Sequence, residues 1–427
     1  MDSRTSTRRL AALLGFATLL AGHGVAGPVP GETRFPAEFD PQESVWISWP
    51  RAEGFVDGLP VVPVVARIVG ELAPFVPVDL LVPGRREGRE ALEYLEENGF
   101  PSAHVRLHVV RHAELWLRDL GPAFLLTDGE LAAVDFGFDG WGYAGGPALA
   151  ADAARKLEGT DRAIAEELRI PAVRSPLVGE GGGRESNGRG TLLLVEELEA
   201  RRNPGLSREA IAEGYRTVLG VRHVIWLREA LLEDQPVSRG VLPENLFASG
   251  GPGGHVDEFA RFAGPSTVLL AEVPQAERDA SPLARINGER LEENHRILRE
   301  ARDQDGNPLT IVRMPIPDPI VVQTDSALHS KFVYEDGTVV RPDGRIQVLA
   351  TASYLNFLVT NGAVLVSAYW QPGRPDSTHW KDERARQILE SVFPGRKVLQ
   401  IPAEPLNFGG GGIHCVTLPQ PRAGGED

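Results

Sequence analysis

The chain has 427 residues, of which 42% are hydrophobic and 24% are charged, with a formal net charge of −15. These values are typical of a soluble globular protein with a substantial core, and the acidic balance argues against a nucleic-acid binder, which needs clustered lysine and arginine. An acidic surface attracts cationic substrates, but it also keeps proteins soluble, so the charge alone does not decide between these roles.

Residues 1–26 are predicted to be a signal peptide, which would direct the protein to the periplasm or outside the cell. The segment begins with the basic residues Arg4, Arg8 and Arg9. An apolar stretch follows at residues 10–21, and small residues stand before the cleavage point at 24–26. The apolar part is too short to span a bilayer as a mature helix. If the segment is not processed, the expected location is the cytoplasm, and the choice between Sec and twin-arginine export stays open.

Short apolar runs of four to eight residues recur along the chain and predict buried strands. They cover residues 45–49, 78–82, 105–110, 123–126, 131–136, 191–195, 223–227, 267–272, 309–314, 363–367 and 397–401. Helical patterns lie between them, at 63–72, 87–97, 149–168, 207–219, 283–303 and 382–392, with Ser207 as an expected N-cap. This alternation indicates an α/β fold. Asp128-Gly129, Asn187-Gly188 and Asp336-Gly337 predict hairpins, so the sheets are not expected to be purely parallel.

The only cysteine of the chain, Cys415, follows four consecutive glycines at residues 409–412. A lone cysteine is commonly a small buried hydrophobe. Glycines before a buried strand cost stability, whereas in a loop they let backbone N–H groups approach a ligand closely. We therefore interpret this segment as a loop that directs a nucleophilic sulfur into a pocket.

Three further motifs carry polar groups suited to chemistry: residues 116–122 (WLRDLGP), residues 180–182 (EGG) followed by 187–191, and residues 254–257 (GHVD). Asp119 has the alternative of a surface ion pair with Arg118, and Glu180 that of a plain turn residue. His255 and Asp257 would share one face of a strand and fit a metal site, although no further ligand at a matching spacing is apparent.

His255 is expected to be the proton partner of the thiol. His414 is a poorer candidate, because adjacent side chains of an extended segment point to opposite faces. One thiol, one histidine and three carboxylates are more acidic than a peptidase site requires. They fit a guanidinium, whose planar fork of donors pairs with carboxylates, and Trp116 would lie against the face of the cation.

The order of these motifs resembles that of the agmatine deiminases and Porphyromonas-type peptidylarginine deiminases, from about Phe35 to Pro421. Besides the motifs above, it includes residues 35–39 (FPAEF), 45–50, 134–138 with 141–142, 190–193, 353–357 (SYLNF), 409–415 and 420–421. The resemblance implies a pentein fold, which is a five-bladed pseudosymmetric α/β propeller. It also implies one catalytic domain at 35–421, between a mature N-terminal tail at 27–34 and a C-terminal tail at 422–427.

The resemblance also implies roles for the site residues. Cys415 would attack the guanidinium carbon, and His255 would protonate the departing ammonia and then help water to attack the amidino-cysteine intermediate. Asp119 and Asp257 would hold the guanidinium, and Glu180 would flank the site. The remaining substrate-binding positions are Trp116, Gly411 and Gly412. No metal and no organic cofactor are expected, and the bound cation should lower the pKa of Cys415.

The expected substrate is agmatine, which would give N-carbamoylputrescine, a putrescine precursor, and ammonia. Residues 139–146 contain no arginine, whereas the peptidylarginine subfamily has arginines there to hold a carboxylate. The predicted signal peptide instead favours an exported arginine or peptidylarginine deiminase that makes citrulline. Residues 183–186 and 249–253 depart from the family pattern and would reshape the rim of the pocket.

An inactive guanidinium-binding relative is the non-enzyme alternative, and a thiol protease is disfavoured. A homo-oligomer is compatible with the sequence.

Overall fold

The computed structural model describes residues 31–51, 54–56, 58–111, 114–146 and 149–424. The predicted signal peptide at 1–26 lies outside the described residues, as do residues 27–30 of the predicted N-terminal tail and the last three residues of the predicted C-terminal tail. Among the helices of the described residues, none has both the length and the apolar character needed to cross a membrane.

Short strands and helices alternate along the described chain. The strands β1 to β20 are Thr33–Arg34, Gln42–Ser48, Val78–Val82, Val105–Val109, Ala123–Thr127, Glu130–Gly137, Ala172–Val178, Arg184–Ser186, Thr191–Val195, His223–Leu227, Leu246–Ala248, Ala260–Gly264, Thr267–Glu272, Thr310–Pro315, Val321–Asp325, Arg345–Leu349, Leu358–Val359, Ala363–Ser367, Lys397–Ile401 and Thr417–Pro421. The helices α1 to α11 are Val62–Leu72, Arg85–Glu97, Leu117–Leu120, Ala151–Leu157, Thr160–Leu168, Glu196–Arg202, Arg208–Leu219, Gln275–Ala280, Pro282–Glu300, Asp376–Val392 and Glu404–Asn407.

Every predicted strand and helix overlaps an observed element of the same type, which confirms the α/β expectation. Ser207 caps α7 as predicted, since its side chain accepts a hydrogen bond from the backbone of Ala210. The predicted helix at 149–168 is two helices instead of one, because the chain turns at Glu158 and Gly159 between α4 and α5. Residues 33–34, assigned to the N-terminal tail, form β1 and pair with β5.

The strands form six separate sheets that each combine parallel and antiparallel pairs, with the orders β1-β5-β6-β7, β10-β9-β8, β11-β16-β15, β12-β13-β14, β17-β18-β19 and β20-β2-β3-β4. None of the sheets traced through the described residues closes on itself. Asp128-Gly129 and Asn187-Gly188 join antiparallel strands, as predicted. Asp336-Gly337 lies in the long connection 326–344 between the antiparallel strands β15 and β16, so these strands pair without a tight turn.

Two hydrophobic clusters anchor the segments that carry the candidate site residues. Ile413 and Val416, on either side of His414 and Cys415, are completely buried in a cluster built on β2, β3 and α1. Val256 and Phe259 are completely buried in the largest cluster, which also contains Phe357. Burying these apolar side chains stabilises each segment by a few kcal/mol, and it fixes where the intervening polar side chains point.

Candidate active site

Cys415 lies in a turn at 413–416, between the glycine run and β20. The segment is not extended, so the alternation argument used for His414 does not apply to it. A Cβ atom at Gly411 would lie 2.9 Å from Cys415 Sγ and 2.9 Å from the ring of Trp116. Such contacts are too close for any residue larger than glycine, which explains why the loop needs a glycine at this point.

Asp119 connects the Trp116 motif to the Glu180 motif. Its Oδ1 accepts a hydrogen bond from the backbone N–H of Gly182 (2.9 Å), and its Oδ2 accepts one from Trp141 Nε1 (2.9 Å). The alternative of a surface ion pair with Arg118 is wrong, because Asp119 is buried and Arg118 pairs with Glu38 at 2.6 Å. Burial raises the pKa of Asp119. The charge of His255 acts in the opposite direction, but the neighbouring carboxylates raise the pKa further.

Glu180 is a buried anion and not a plain turn residue. Its Oε1 accepts a hydrogen bond from Nε of the buried Arg202 at 2.5 Å. Burial raises the pKa of Glu180, but the charges of Arg202 and His255 outweigh burial and lower it to about 2. Glu180 therefore brings a permanent negative charge to the site.

His255 is completely buried among three carboxylates. Its Nε2 lies 3.6 Å from Glu180 Oε2, and its Nδ1 lies 3.8 Å from Asp119 Oδ1 and 4.0 Å from Asp257 Oδ1. Burial lowers the pKa of His255, but Asp119 and Glu180 outweigh burial and raise it to about 9. At neutral pH the ring is an imidazolium that is able to donate a proton.

Asp257 is held by His414, which sequence reasoning left without a role. His414 donates from Nδ1 to Asp257 Oδ2 (2.6 Å) and from Nε2 to Glu38 Oε2 (2.8 Å). Burial raises the pKa of Asp257, but the hydrogen bond and charge of His414 outweigh burial and lower it. Glu38 is in turn paired with Arg261 at 2.9 Å, so a chain of buried ionic contacts fixes the orientation of Asp257.

The sulfur of Cys415 lies among hydrogen-bonding side chains and is only 3% exposed. Sγ is 3.1 Å from Asn356 Nδ2, 3.7 Å from Asp257 Oδ2 and 3.9 Å from Glu258 Oε1. Burial, followed by the charges of Asp257 and Glu258, raises the pKa of the Cys415 thiol well above its usual value. These neighbours favour the neutral thiol, and a positive charge nearby would favour its ionisation. Ligand atoms of Asp257, Glu258 and Cys415 all lie within 4.8 Å of one another, a spacing that a metal ion would also fit.

A cavity of about 280 Å³ leads to this sulfur. Asp119 and Cys415 belong to its lining, and most of its large wall residues are aromatic, namely Phe55, Trp116, Trp141, Tyr143, Phe332 and Phe408. The rings of Phe55 and Trp116 stack with their centroids 5.7 Å apart. The lining contains no lysine or arginine among the described residues. It therefore suits a cationic head followed by an alkyl or amine tail.

The structure brings together the five side chains predicted from the sequence: Asp119, Glu180, His255, Asp257 and Cys415. Trp116 lines the cavity together with Gly409 and Gly410. Gly411 and Gly412, the glycines predicted to bind substrate, are buried and do not belong to its lining. Sequence reasoning missed Glu38, Arg202, Glu258, Asn356 and His414. Glu38 and Asn356 lie inside motifs that carried the family resemblance, and Glu258 and His414 adjoin predicted residues. For Arg202, which lies on a helix that was not predicted, no signal in the sequence was available.

A model of the Porphyromonas-type peptidyl-arginine deiminase family matches residues 34–421. The chain belongs to this family. The agmatine deiminase of Pseudomonas aeruginosa (strain LESB58) is 31% identical over 395 residues, which cover 91% of this chain and 95% of that protein. The agmatine deiminase of Stutzerimonas stutzeri (strain A1501) is 32% identical over 392 residues, with coverages of 90% and 95%.

Solved structures of the family share the fold. The agmatine deiminase of Enterococcus faecalis matches with a TM-score of 0.71 and 26% sequence identity, covering 93% of this chain and 100% of that chain. The mixed α/β fold of this protein is therefore that of solved agmatine deiminases.

Proposed function

We propose that this protein hydrolyses the guanidinium group of agmatine to give N-carbamoylputrescine and ammonia, with Cys415 as the nucleophile. The observation that carries this proposal is a set of buried polar atoms without partners in the cluster around His255, which Asp257 connects to Cys415. Within the described residues, Glu180 Oε2, Asp257 Oδ1 and both ring nitrogens of His255 have no hydrogen-bond partner. Leaving buried carboxylate oxygens unpaired is costly, and the N–H groups of a planar guanidinium would pair with them.

The reaction follows from these charges. The bound cation favours loss of the thiol proton to solvent, and the thiolate attacks the guanidinium carbon to form a neutral tetrahedral adduct. The His255 imidazolium gives its proton to one NH₂ group, ammonia departs, and a cationic amidino-cysteine remains. Neutral His255 then takes a proton from water as the hydroxyl adds to the same carbon. The C–S bond breaks to release the thiolate and the urea product, and the last proton leaves with ammonia as ammonium.

Agmatine is favoured over arginine by the walls of the cavity. A substrate carboxylate would find no lysine or arginine among the described lining residues, whereas a cationic tail would meet aromatic faces, which attract cations. Several relatives at about 31% identity are named agmatine deiminases. The second candidate is an arginine or peptidylarginine deiminase, which the predicted signal peptide favours.

The propeller architecture belongs to the same proposal. Five of the six sheets repeat one unit, in which a middle strand pairs antiparallel with one neighbour and, after one or two helices, parallel with the next. The middle strands of these units are β2, β6, β9, β13 and β18. We assign these units to the five blades of a pentein domain at 35–421, extended at its start by β1 (residues 33–34), with 27–32 and 422–427 as tails and β11-β16-β15 as an addition.

Export is proposed from the sequence of residues 1–26 alone. The test is to express the full chain in a Gram-negative expression host and to separate periplasm, medium and cytoplasm. Export predicts a processed chain outside the cytoplasm, and an unprocessed chain confined to the cytoplasm would refute it. Gel filtration of the same material with light scattering would test for a homo-oligomer.

The function is tested by incubating the purified protein with agmatine, free arginine or a peptide ending in arginine. Ammonia release and the product masses are measured for each. We expect N-carbamoylputrescine from agmatine, with much slower turnover of the two carboxylate-bearing substrates. Faster production of citrulline would favour the second candidate. Absence of ammonia from all three at high protein concentration would identify an inactive binding protein.

A further inference from the structure

We propose that Arg201, Arg239 and Arg290 form a binding site for one small inorganic anion of halide size, such as chloride, behind the loop that leads into His255. The three side chains line one cavity of about 20 Å³, to which residues 253–254 also belong. None of these arginines takes part in the guanidinium chemistry described above. The proposal therefore adds a second binding site to the protein.

The cavity carries one positive charge that its neighbours do not pair. Arg239 donates from Nη1 to Glu197 Oε1, and Arg290 Nε lies 2.8 Å from Glu229 Oε2. The buried Nη1 atom of Arg201, by contrast, makes no hydrogen bond within the described residues. Leaving a charged donor buried without a partner is costly, so an acceptor at this nitrogen would stabilise the folded protein.

The surroundings of Arg201 favour a negatively charged acceptor over a neutral one. Burial lowers the pKa of Arg201, and the charges of Arg202 and Arg239 lower it further. Glu197 and Glu335 act in the opposite direction but do not outweigh these effects. A bound anion would offset the repulsion among the arginines. The same repulsion disfavours a guanidinium compound, so the cavity is not a second substrate site.

The volume of the cavity determines which anion it takes. About 20 Å³ is little more than the space that one water molecule needs. A single halide ion fits such a space after a small adjustment of the flexible arginine side chains. Phosphate, sulfate or an organic carboxylate would require a larger movement of the walls, so we assign the site to a halide.

The loop that precedes His255 lies between this cavity and the active-site cavity. Pro252 lines the active-site cavity, and its carbonyl oxygen accepts a hydrogen bond from Arg202 Nη2 at 2.5 Å. On the other side of the loop, a Cβ atom at Gly253 would lie 3.8 Å from Arg201 Nη1. An anion that fixes Arg201 would therefore support the backbone that leads into His255.

The test is chloride binding in solution, measured on the full chain from the line width of the chloride NMR signal. Chloride that exchanges on and off a protein site gives a broader signal than chloride in buffer, and the measurement needs no substrate. We expect excess width with the wild type and loss of most of it in Arg201→Gln. Arg201→Lys keeps the charge and should retain part of the excess width. Bromide should displace the chloride at similar concentrations.

Thermal unfolding gives a second readout, because a ligand that binds only the folded protein raises Tm. Replacing gluconate by chloride at constant ionic strength should raise the Tm of the wild type by about 1–3 °C and leave that of Arg201→Gln unchanged. The matched control is Arg216→Gln. Arg216 is also half-buried, but it pairs with Glu209 at 2.6 Å and lies outside the cavity lining. The control should respond to chloride as the wild type does.

Equal chloride line widths for the wild type and Arg201→Gln would overturn the proposal. Displacement of chloride by sulfate at lower concentrations than by bromide would also overturn it, because that order indicates an oxyanion site. Ammonia release by the wild type should rise with chloride at constant ionic strength, and a rate that ignores chloride would refute the link to His255. These results are distinct from a failure of the proposed function. A protein that hydrolyses no guanidinium compound, but loses its chloride broadening in Arg201→Gln, would refute agmatine turnover and leave the anion site intact.

Discussion

Replacing Glu180 with glutamine removes one buried negative charge beside His255 while keeping the shape of the side chain. The glutamine oxygen can still accept the hydrogen bond of Arg202, which now binds Oε1. The lost charge is 3.6 Å from His255 Nε2. At an effective dielectric constant of about 20, an attraction across that distance is worth about 4–5 kcal/mol.

This energy corresponds to a decrease of about three units in the pKa of His255. The substitution would also leave the positive charge of Arg202 without its anion, which acts in the same direction. We therefore expect the pKa of His255 to fall from about 9 to below about 7. The imidazolium is the acid that protonates ammonia, so activity is present below the pKa of His255 and is lost as the pH rises through it. The alkaline limb of kcat/KM, which reports on the free enzyme, should move to lower pH, with a loss of at least about tenfold at pH 8.

The assay is ammonia release from agmatine between pH 6 and 10, roughly one unit to either side of the expected limbs. Asp79→Asn is a suitable control, because Asp79 is also a buried carboxylate paired with an arginine, Arg106, at 2.6 Å, but it lies in β3 outside the cavity lining. An alkaline limb of Glu180→Gln that coincides with that of the wild type would refute the assignment of His255 as the acid.

Four other outcomes are expected. Cys415→Ala should abolish ammonia release yet melt within a few degrees of the wild type by circular dichroism, since it removes only one buried sulfur; normal turnover would exclude Cys415 as the nucleophile. Asp119→Asn should cost about 2–5 kcal/mol in kcat/KM, the range for breaking a buried charge pair, and a change below about threefold would mean that Asp119 does not bind the cation. Gly411→Ala should lower kcat, because the added Cβ would meet the sulfur and Trp116 at 2.9 Å, and full activity would show that the loop is not held tightly. Prolonged dialysis against EDTA should leave the rate unchanged; a loss restored by one divalent metal would point to Asp257, Glu258 and Cys415 as its ligands.

The fold was predictable wherever strands are apolar runs. Strand β13 (Thr267–Glu272) and β18 (Ala363–Ser367) are buried and rich in Val, Leu and Ala, and the pattern finds them. Strand β8 is Arg184-Glu185-Ser186, which is completely polar and yet buried. Its charges are stabilised by partners that are distant in sequence, such as Arg261 for Glu185 at 2.9 Å. No local pattern contains that information.

The candidate site shows the same contrast between local motifs, which could be recognised in the sequence, and contacts between distant residues, which could not. Asp119, Glu180, His255, Asp257 and Cys415 lie in short motifs with glycine or tryptophan neighbours, and these could be recognised. The residues that orient them act across long separations, as with Glu38 and His414, which are 376 positions apart. His414 is a poor candidate only if residues 413–416 are extended, and the chain forms a turn there. The conformation of such a turn depends on tertiary contacts, including the two hydrogen bonds to Asn356 Oδ1.

The most direct test of the account is to look for the covalent intermediate on Cys415. The protein is mixed with excess agmatine, quenched with acid during turnover and analysed as intact protein and as peptides by mass spectrometry. The account predicts an adduct with the mass of agmatine less one ammonia, located on the peptide that contains Cys415 and absent from Cys415→Ala. Turnover by Cys415→Ala, or an adduct on any other residue, would contradict it.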